Sequence, residues 1–158
     1  MVRVLYPGSF DPVHNGHVEL VERASRLFDG VLVAAMRNPQ KGEPFFSFEE
    51  REAMLRECFE HLPNVETTMF SELVVDLARR EKTDFIVKGL RAVSDFESEL
   101  QMAQTNSVVS GVETLFIPST SSNSYIASKY IREIARFGGD VESMIPAPVS
   151  RRLAGRFT

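Results

Sequence analysis

Two histidines three residues apart, His14 and His17, close a run that also holds two glycines and two prolines: Tyr6-Pro7-Gly8-Ser9-Phe10-Asp11-Pro12-Val13-His14-Asn15-Gly16-His17. The run follows a short apolar segment, 2–6, and precedes 18–28, where apolar residues recur at helical spacing. A glycine-containing turn between a strand and a helix can set backbone N–H groups and the positive helix end against an anion. Imidazoles at such a seat point to chemistry on a phosphate ester. Ser9 adds a hydroxyl and a backbone N–H, and Gly16 lets a ligand approach the main chain closely.

Cations that suit the same ligand recur farther along. Lys41 lies in Asn38-Pro39-Gln40-Lys41-Gly42-Glu43-Pro44, whose prolines and glycine mark an exposed loop. Lys88-Gly89-Leu90-Arg91 leaves another apolar run and suits a di- or triphosphate. Arginine offers a planar two-pronged contact and lysine a point charge. In the helical pattern that follows, Glu97 and Glu99 face different sides, so that one can meet a ligand. A last polar segment, Asn123-Ser124-Tyr125-Ile126-Ala127-Ser128-Lys129, places small hydroxyls at an expected helix start, where they cap and also seat anions.

Strand-like runs at 2–6, 30–36, 64–69, 84–88 and 112–117 alternate with helical patterns at 17–28, 48–61, 72–81, 94–109 and 125–137. Ser47-Phe48-Glu49-Glu50 and Ser94-Asp95-Phe96-Glu97 each have the spacing of a capping box and so predict helix starts. Gly138-Gly139 is expected to break the fifth helix, with Asp140 capping the next turn and Pro146 and Pro148 preceding a short arginine-rich helix. Strict alternation implies an α/β fold: a Rossmann-like five-stranded parallel sheet with right-handed crossovers and helices on both faces. Ligands of such sheets bind beyond the carboxyl ends of the strands, where the strand order reverses. The chemistry-bearing segments 7–17, 37–46, 88–99 and 118–129 each follow a predicted strand.

The 158 residues fit one domain spanning 1–158. A net charge of −4 argues against a broad nucleic-acid surface but not against a small anion held by a few local cations. The longest apolar runs, such as Val31 to Met36, are too short to cross a bilayer, and residues 1–20 lack the pattern of a secretion signal. A cytoplasmic protein with neither nucleic-acid nor membrane partner is therefore expected. The lone Cys58 shares a helical stripe with Met54, Leu55, Phe59 and Leu62 and reads as a core filler. No G-x-x-x-x-G-K-[ST] or G-x-G-x-x-G run, no cluster with zinc-ligand spacing and no recognisable protein nucleophile occur, so no protein-held metal is expected.

His14-Asn15-Gly16-His17 resembles the H/T-x-G-H motif of the nucleotidyltransferase superfamily. Taken with Tyr6 to Pro12, Lys88-Gly89-Leu90-Arg91 and Asp95-Phe96-Glu97, it is similar to bacterial phosphopantetheine adenylyltransferases up to Gly138-Gly139-Asp140-Val141. The resemblance implies transfer of AMP from ATP to 4′-phosphopantetheine, giving dephospho-coenzyme A and pyrophosphate, with Mg²⁺ as cofactor and a homohexameric assembly. It assigns His17, Lys41 and Arg91 to catalysis. It assigns Ser9, Phe10, His17, Gly89, Leu90, Arg91, Glu99 and the stretch Asn123, Ser124, Tyr125, Ile126, Ala127, Ser128 and Lys129 to ATP. Ser9, Lys41, Val74, Lys88 and Asn106 fall to the phosphopantetheine side. Three positions depart from the family pattern: Lys88 where many relatives carry arginine, Ala127 and Lys129 in a normally serine-rich run, and Ser98 where tyrosine is common. Two rivals stay open: a small nucleotidyltransferase acting on a nicotinate or cytidine nucleotide, and a nucleotide-binding protein with weakened catalysis.

Overall fold

Alternate residues of the central strands are apolar in both directions, as a sheet covered on both faces requires. Val4, Tyr6, Val31, Val33, Ala35 and Val87 join one buried cluster, while Leu5, Leu32, Ala34 and Ile86 join another. A computed structural model describes residues 1–37, 42–91 and 93–156, with only the backbone of 93–95. In chain order the elements are β1 (Arg3–Gly8), α1 (Asn15–Leu27), β2 (Gly30–Met36), α2 (Phe48–Phe59), β3 (Val65–Phe70), α3 (Val74–Arg80), β4 (Phe85–Leu90), α4 (Val93–Ser110), β5 (Glu113–Pro118), α5 (Ser128–Arg136), a 3-10 turn (Glu142–Met144) and α6 (Ala147–Arg156). Among the described residues the strands form one parallel sheet in the order β3-β2-β1-β4-β5. Residues of α1, α2, α5 and α6 pack on the first face, and Val75, Leu77 and Ala78 of α3 on the second. The expected α/β architecture is therefore present.

The order reverses at β1, and the sheet opens there. β1 pairs with β2 from Arg3↔Gly30 to Gly8↔Ala35, yet with β4 only at Val4↔Phe85 and Leu5↔Ile86. Beyond Leu5 the two strands part, leaving a crevice at their carboxyl ends where such folds hold ligands.

Local rules account for most element ends. Ser47 caps α2 as predicted: its Oγ accepts from Glu50 N at 3.1 Å, and the Glu50 carboxylate accepts from Ser47 N at 2.8 Å. After Gly138-Gly139 ends α5, Asp140 Oδ1 accepts from Glu142 N at 2.9 Å and starts the next turn. Cys58 is buried in the first cluster, where burial pushes its thiol up to about 12. Three expectations shift. α4 starts at Val93, one residue before the predicted start at Ser94. β4 runs on through Lys88, Gly89 and Leu90 because a Cβ at Gly89 would lie 2.9 Å from the Leu20 side chain, so glycine lets the strand end press against α1. α5 begins at Ser128, three residues later than predicted, because Ile126 is drawn into the core and keeps 123–127 in loop conformation.

Candidate active site

The crevice is a cavity of about 470 Å³ between the ends of β1 and β4, with α1 along one wall. Its floor begins with the turn after β1. Phe10 adopts a left-handed backbone (φ 48°) and turns its ring into the core, edge-on to Tyr6 at 5.4 Å and to His17 at 4.8 Å. Such a conformation in a non-glycine residue costs about 1–2 kcal/mol and persists only where the surroundings fix it. Here they do. Asp11, buried, accepts from Phe45 N and Phe46 N, both at 2.8 Å. Arg132 Nη1 donates to the Asp11 carbonyl, and Ser128 Oγ to that of Pro12, each at 2.8 Å.

The two histidines build the start of α1 between them. His14 is the N-cap, its Nδ1 accepting from Gly16 N at 3.0 Å, while His17 Nδ1 accepts in return from His14 N at 3.0 Å. This reciprocal cap follows the usual S-x-x-E logic with imidazoles in place of hydroxyl and carboxylate. The rings stack at 3.6 Å. Glycine is required at 16 because a Cβ there would lie 2.9 Å from the His14 ring. Because each Nδ1 is an acceptor, each neutral ring carries its proton on Nε2.

Electrostatics hold both rings neutral. Burial, with Arg91 adding repulsion, brings His14 down to about 3. Burial above all, then the adjoining His14 ring and the cations Arg91 and Lys88, push His17 well below its ordinary value. His17 therefore lines the cavity as a neutral N–H donor with a fixed tautomer, not as a general acid. His14 Nε2 is buried and has no partner among the described residues, although His14 also lines the cavity. Burial likewise keeps the Tyr6 phenol protonated, its pKa raised well above the ordinary value.

Cations approach from β4. Lys88 and Arg91 line the cavity together with Gly89 and Glu99. Lys88 Nζ lies 3.7 Å from a Glu99 carboxylate oxygen, and Arg91 Nη1 donates to the Ile126 carbonyl. Ser9 and Val74 complete the set of predicted site residues at the cavity wall. Other predicted residues stand back from it. Phe10 supports His17 from the core, Leu90 ends its strand, and Asn106 lies two turns along α4 from Glu99. Ser124 Oγ donates to Ser121 O, Ile126 is core, Ala127 is the N-cap residue of α5, and Tyr125 and Lys129 are exposed, with Lys129 over the Tyr130 ring. Lys41 lies outside the described residues.

Two wall residues were not singled out from sequence. Glu19 gathers the segment after β5: Asn123 Nδ2 donates to it at 2.6 Å and Thr120 through both N (3.1 Å) and Oγ1 (2.9 Å). Burial raises its pKa, but those donors and Arg23 outweigh burial and leave it below the usual carboxylate range. Arg23, one turn on, also donates to the Pro118 carbonyl. The i,i+4 spacing of Glu19 and Arg23, two and six residues on from His17, is the signal that marks them.

A neutral N–H donor, two cations and a strand-end turn converge at one opening, an arrangement made for a phosphate ester. The chain matches the cytidylyltransferase-like family over residues 5–134. It is 50% identical over 150 residues, covering 94% of this chain and 90% of the other, to the phosphopantetheine adenylyltransferase of Synechococcus sp. (strain RCC307). It is 47% identical to the enzyme of that name from Gloeobacter violaceus, over 97% of this chain and 95% of the relative. A solved Vibrio parahaemolyticus protein, described as a nicotinate-nucleotide adenylyltransferase, shares the fold at a TM-score of 0.67 with 18% identity, over 98% of this chain and 99% of that one.

Proposed function

This chain belongs to the phosphopantetheine adenylyltransferases, within the cytidylyltransferase-like family, and on that premise we propose how its residues transfer AMP from ATP to 4′-phosphopantetheine. The observation that carries the reading is the convergence of His17, Lys88 and Arg91 on the β1/β4 opening. A phosphate oxygen of phosphopantetheine attacks the α-phosphorus of ATP. The bond to the bridging oxygen breaks, and pyrophosphate leaves with the electron pair. The attacking phosphate is already ionised at neutral pH, so no protein base is required. What the protein supplies is alignment and stabilisation of the charge that builds on the α-phosphate.

His17 donates its Nε2–H to an α-phosphate oxygen. Arg91 faces the ATP phosphates and Lys88 the acceptor phosphate, with Lys41 assigned beside Lys88 to the phosphopantetheine side. Displacement of Glu99 from Lys88 by the acceptor exchanges one anion for another at that cation. The buried Nε2–H of His14 supports a phosphate at this wall, because an unpartnered buried donor costs about 1–3 kcal/mol until an acceptor arrives. Mg²⁺ would be held chiefly by the triphosphate oxygens and water, where it would offset the phosphate charge that His17, Lys88 and Arg91 face. The carboxylates at the cavity are engaged, Glu19 by Thr120 and Asn123 and Glu99 by Lys88. Among the described residues no cluster of three or more His, Cys, Asp or Glu is placed to hold a metal.

The reading includes a cytoplasmic homohexamer. Exposed Met102, Val108 and Val109 on α4, with Leu115 on the edge strand β5, support contacts between copies. No helix among the described residues is long and apolar enough to cross a membrane. Incubation with ATP, Mg²⁺ and phosphopantetheine should release pyrophosphate. Failure, with turnover of nicotinate mononucleotide or a cytidine-nucleotide substrate instead, overturns the assignment.

A further inference from the structure

Arg51 lies in the apolar stripe of α2 at spacings of three, four and seven from Met54, Leu55 and Cys58, and is only 4% exposed. Its Nη1 donates to Ser9 O at 2.8 Å and to Met36 O at 2.9 Å. The β1–β2 ladder ends at Gly8↔Ala35, so Ser9 and Met36 are the next pair in register. One guanidinium nitrogen thus forms an extra rung where the two strands stop, directly before Phe10 turns into its left-handed conformation. Both bridged residues line the cavity.

As core filling, Arg51 is a poor choice. Its Nε is buried without a partner among the described residues. Burying a charge carries a desolvation cost that an apolar side chain of similar volume avoids. One of the two carbonyls it holds belongs to Ser9 itself, at the start of the turn that leads to His14 and His17.

We propose that Arg51 is a positioning residue that fixes Ser9 against the transferring phosphate by tying the Ser9 and Met36 carbonyls into one rung. This rests on the reading of the site as a nucleotidyl-transfer centre. Arg51 does not line the crevice between β1 and β4 and acts there through the placement of the turn.

The test compares Arg51→Met, which keeps the volume and the apolar stripe, with Arg51→Lys, which keeps a charged donor on a flexible stem. In the methionine variant kcat should fall about 30- to 100-fold, the loss expected from a displacement of about 1 Å at a reacting centre. Both KM values should stay within about threefold, and the variant should remain folded at the assay temperature. The lysine variant should lose about tenfold in kcat with the same KM values. A folded methionine variant with wild-type kcat, a loss confined to KM, or a fall in Tm with kcat unchanged overturns the proposal. Should Arg51→Met not fold, Arg51→Lys decides, and its wild-type kcat or its own failure to fold is equally fatal. Wild-type turnover with phosphopantetheine tests the reaction separately. The Arg51 comparison is run with whichever phosphorylated acceptor the wild type uses, so the two ideas fail independently.

Discussion

The turn 8–17 and the segment 118–129 both reach the same cavity, the second through Pro118 and Ser119, but are held by opposite means. The turn is fastened from inside. Phe10, Asp11, Val13 and His14 are all buried, and its polar groups bond to partners from α2, α5 and the 45–46 bend. The segment after β5 is fastened from outside. Most of it is exposed or half-buried, its core contact is Ile126, and its register depends on the clasp between Glu19, Thr120 and Asn123. The departures from the family pattern at Ala127 and Lys129 both fall in the outside-held segment, whereas the turn keeps Ser9, Gly16 and His17. A region fixed by burial leaves little room for change without loss of packing. A region hung on surface hydrogen bonds can exchange side chains and keep its path.

This contrast predicts that changes in the turn strike the chemical step, while changes opposite tune binding. His17→Ala should lower kcat about 10²- to 10³-fold, as for a lost charge-stabilising donor. Steady-state kinetics with near-normal kcat would remove His17 from its role. The burial of His14 should be visible as acid sensitivity. Its folded pKa of about 3 lies below the ordinary 6.5, so the unfolded chain takes up the proton first. The stabilisation is complete above pH 6.5 and drains away as pH falls toward 3. Denaturant titrations at pH 7 and pH 5 should differ by about 2 kcal/mol from this group, and His14→Thr should shrink the difference. An unchanged pH dependence would place the titrating group elsewhere.

Lys88→Ala should raise KM for phosphopantetheine about tenfold and leave KM for ATP within threefold, by loss of a charged phosphate contact. An effect on ATP alone would reverse the assignment of the two ends of the cavity. Glu19→Ala should have the smallest effect, raising KM for ATP about threefold to fivefold with kcat preserved, by releasing two or three surface hydrogen bonds. A fall in kcat matching that of His17→Ala would erase the contrast between the two walls.

The sheet was legible because buried parallel strands leave long apolar runs, and all five predicted strands stand within one or two residues of their places. That the site lies beyond the carboxyl ends followed from alternation, whereas the reversal at β1 required the strand order itself. What sequence could not resolve depended on contacts distant in the chain. Gly89 looked like a break and is a strand residue, because Leu20 lies against it. Ser128 and Asn123 looked like ligand groups, yet their side chains bond to Pro12 O and Glu19. His14 received no site role from sequence, and only the geometry reveals it as half of a mutual cap with a buried donor to spare. Arg51 carried a visible mark, a charge inside an apolar stripe, whose meaning required the position of Ser9 O.

The mutual histidine cap also bears on how such a site can be engineered. Active-site groups are commonly strained, so that trimming them trades activity for a sturdier protein. Here the N–H assigned to the transition state belongs to a ring whose other nitrogen starts a helix. Removing His17 forfeits a cap worth about 1 kcal/mol along with the reaction. Selection for stability and selection for turnover therefore press on this position in the same direction, and screens for hardier variants should leave it untouched without any assay for activity.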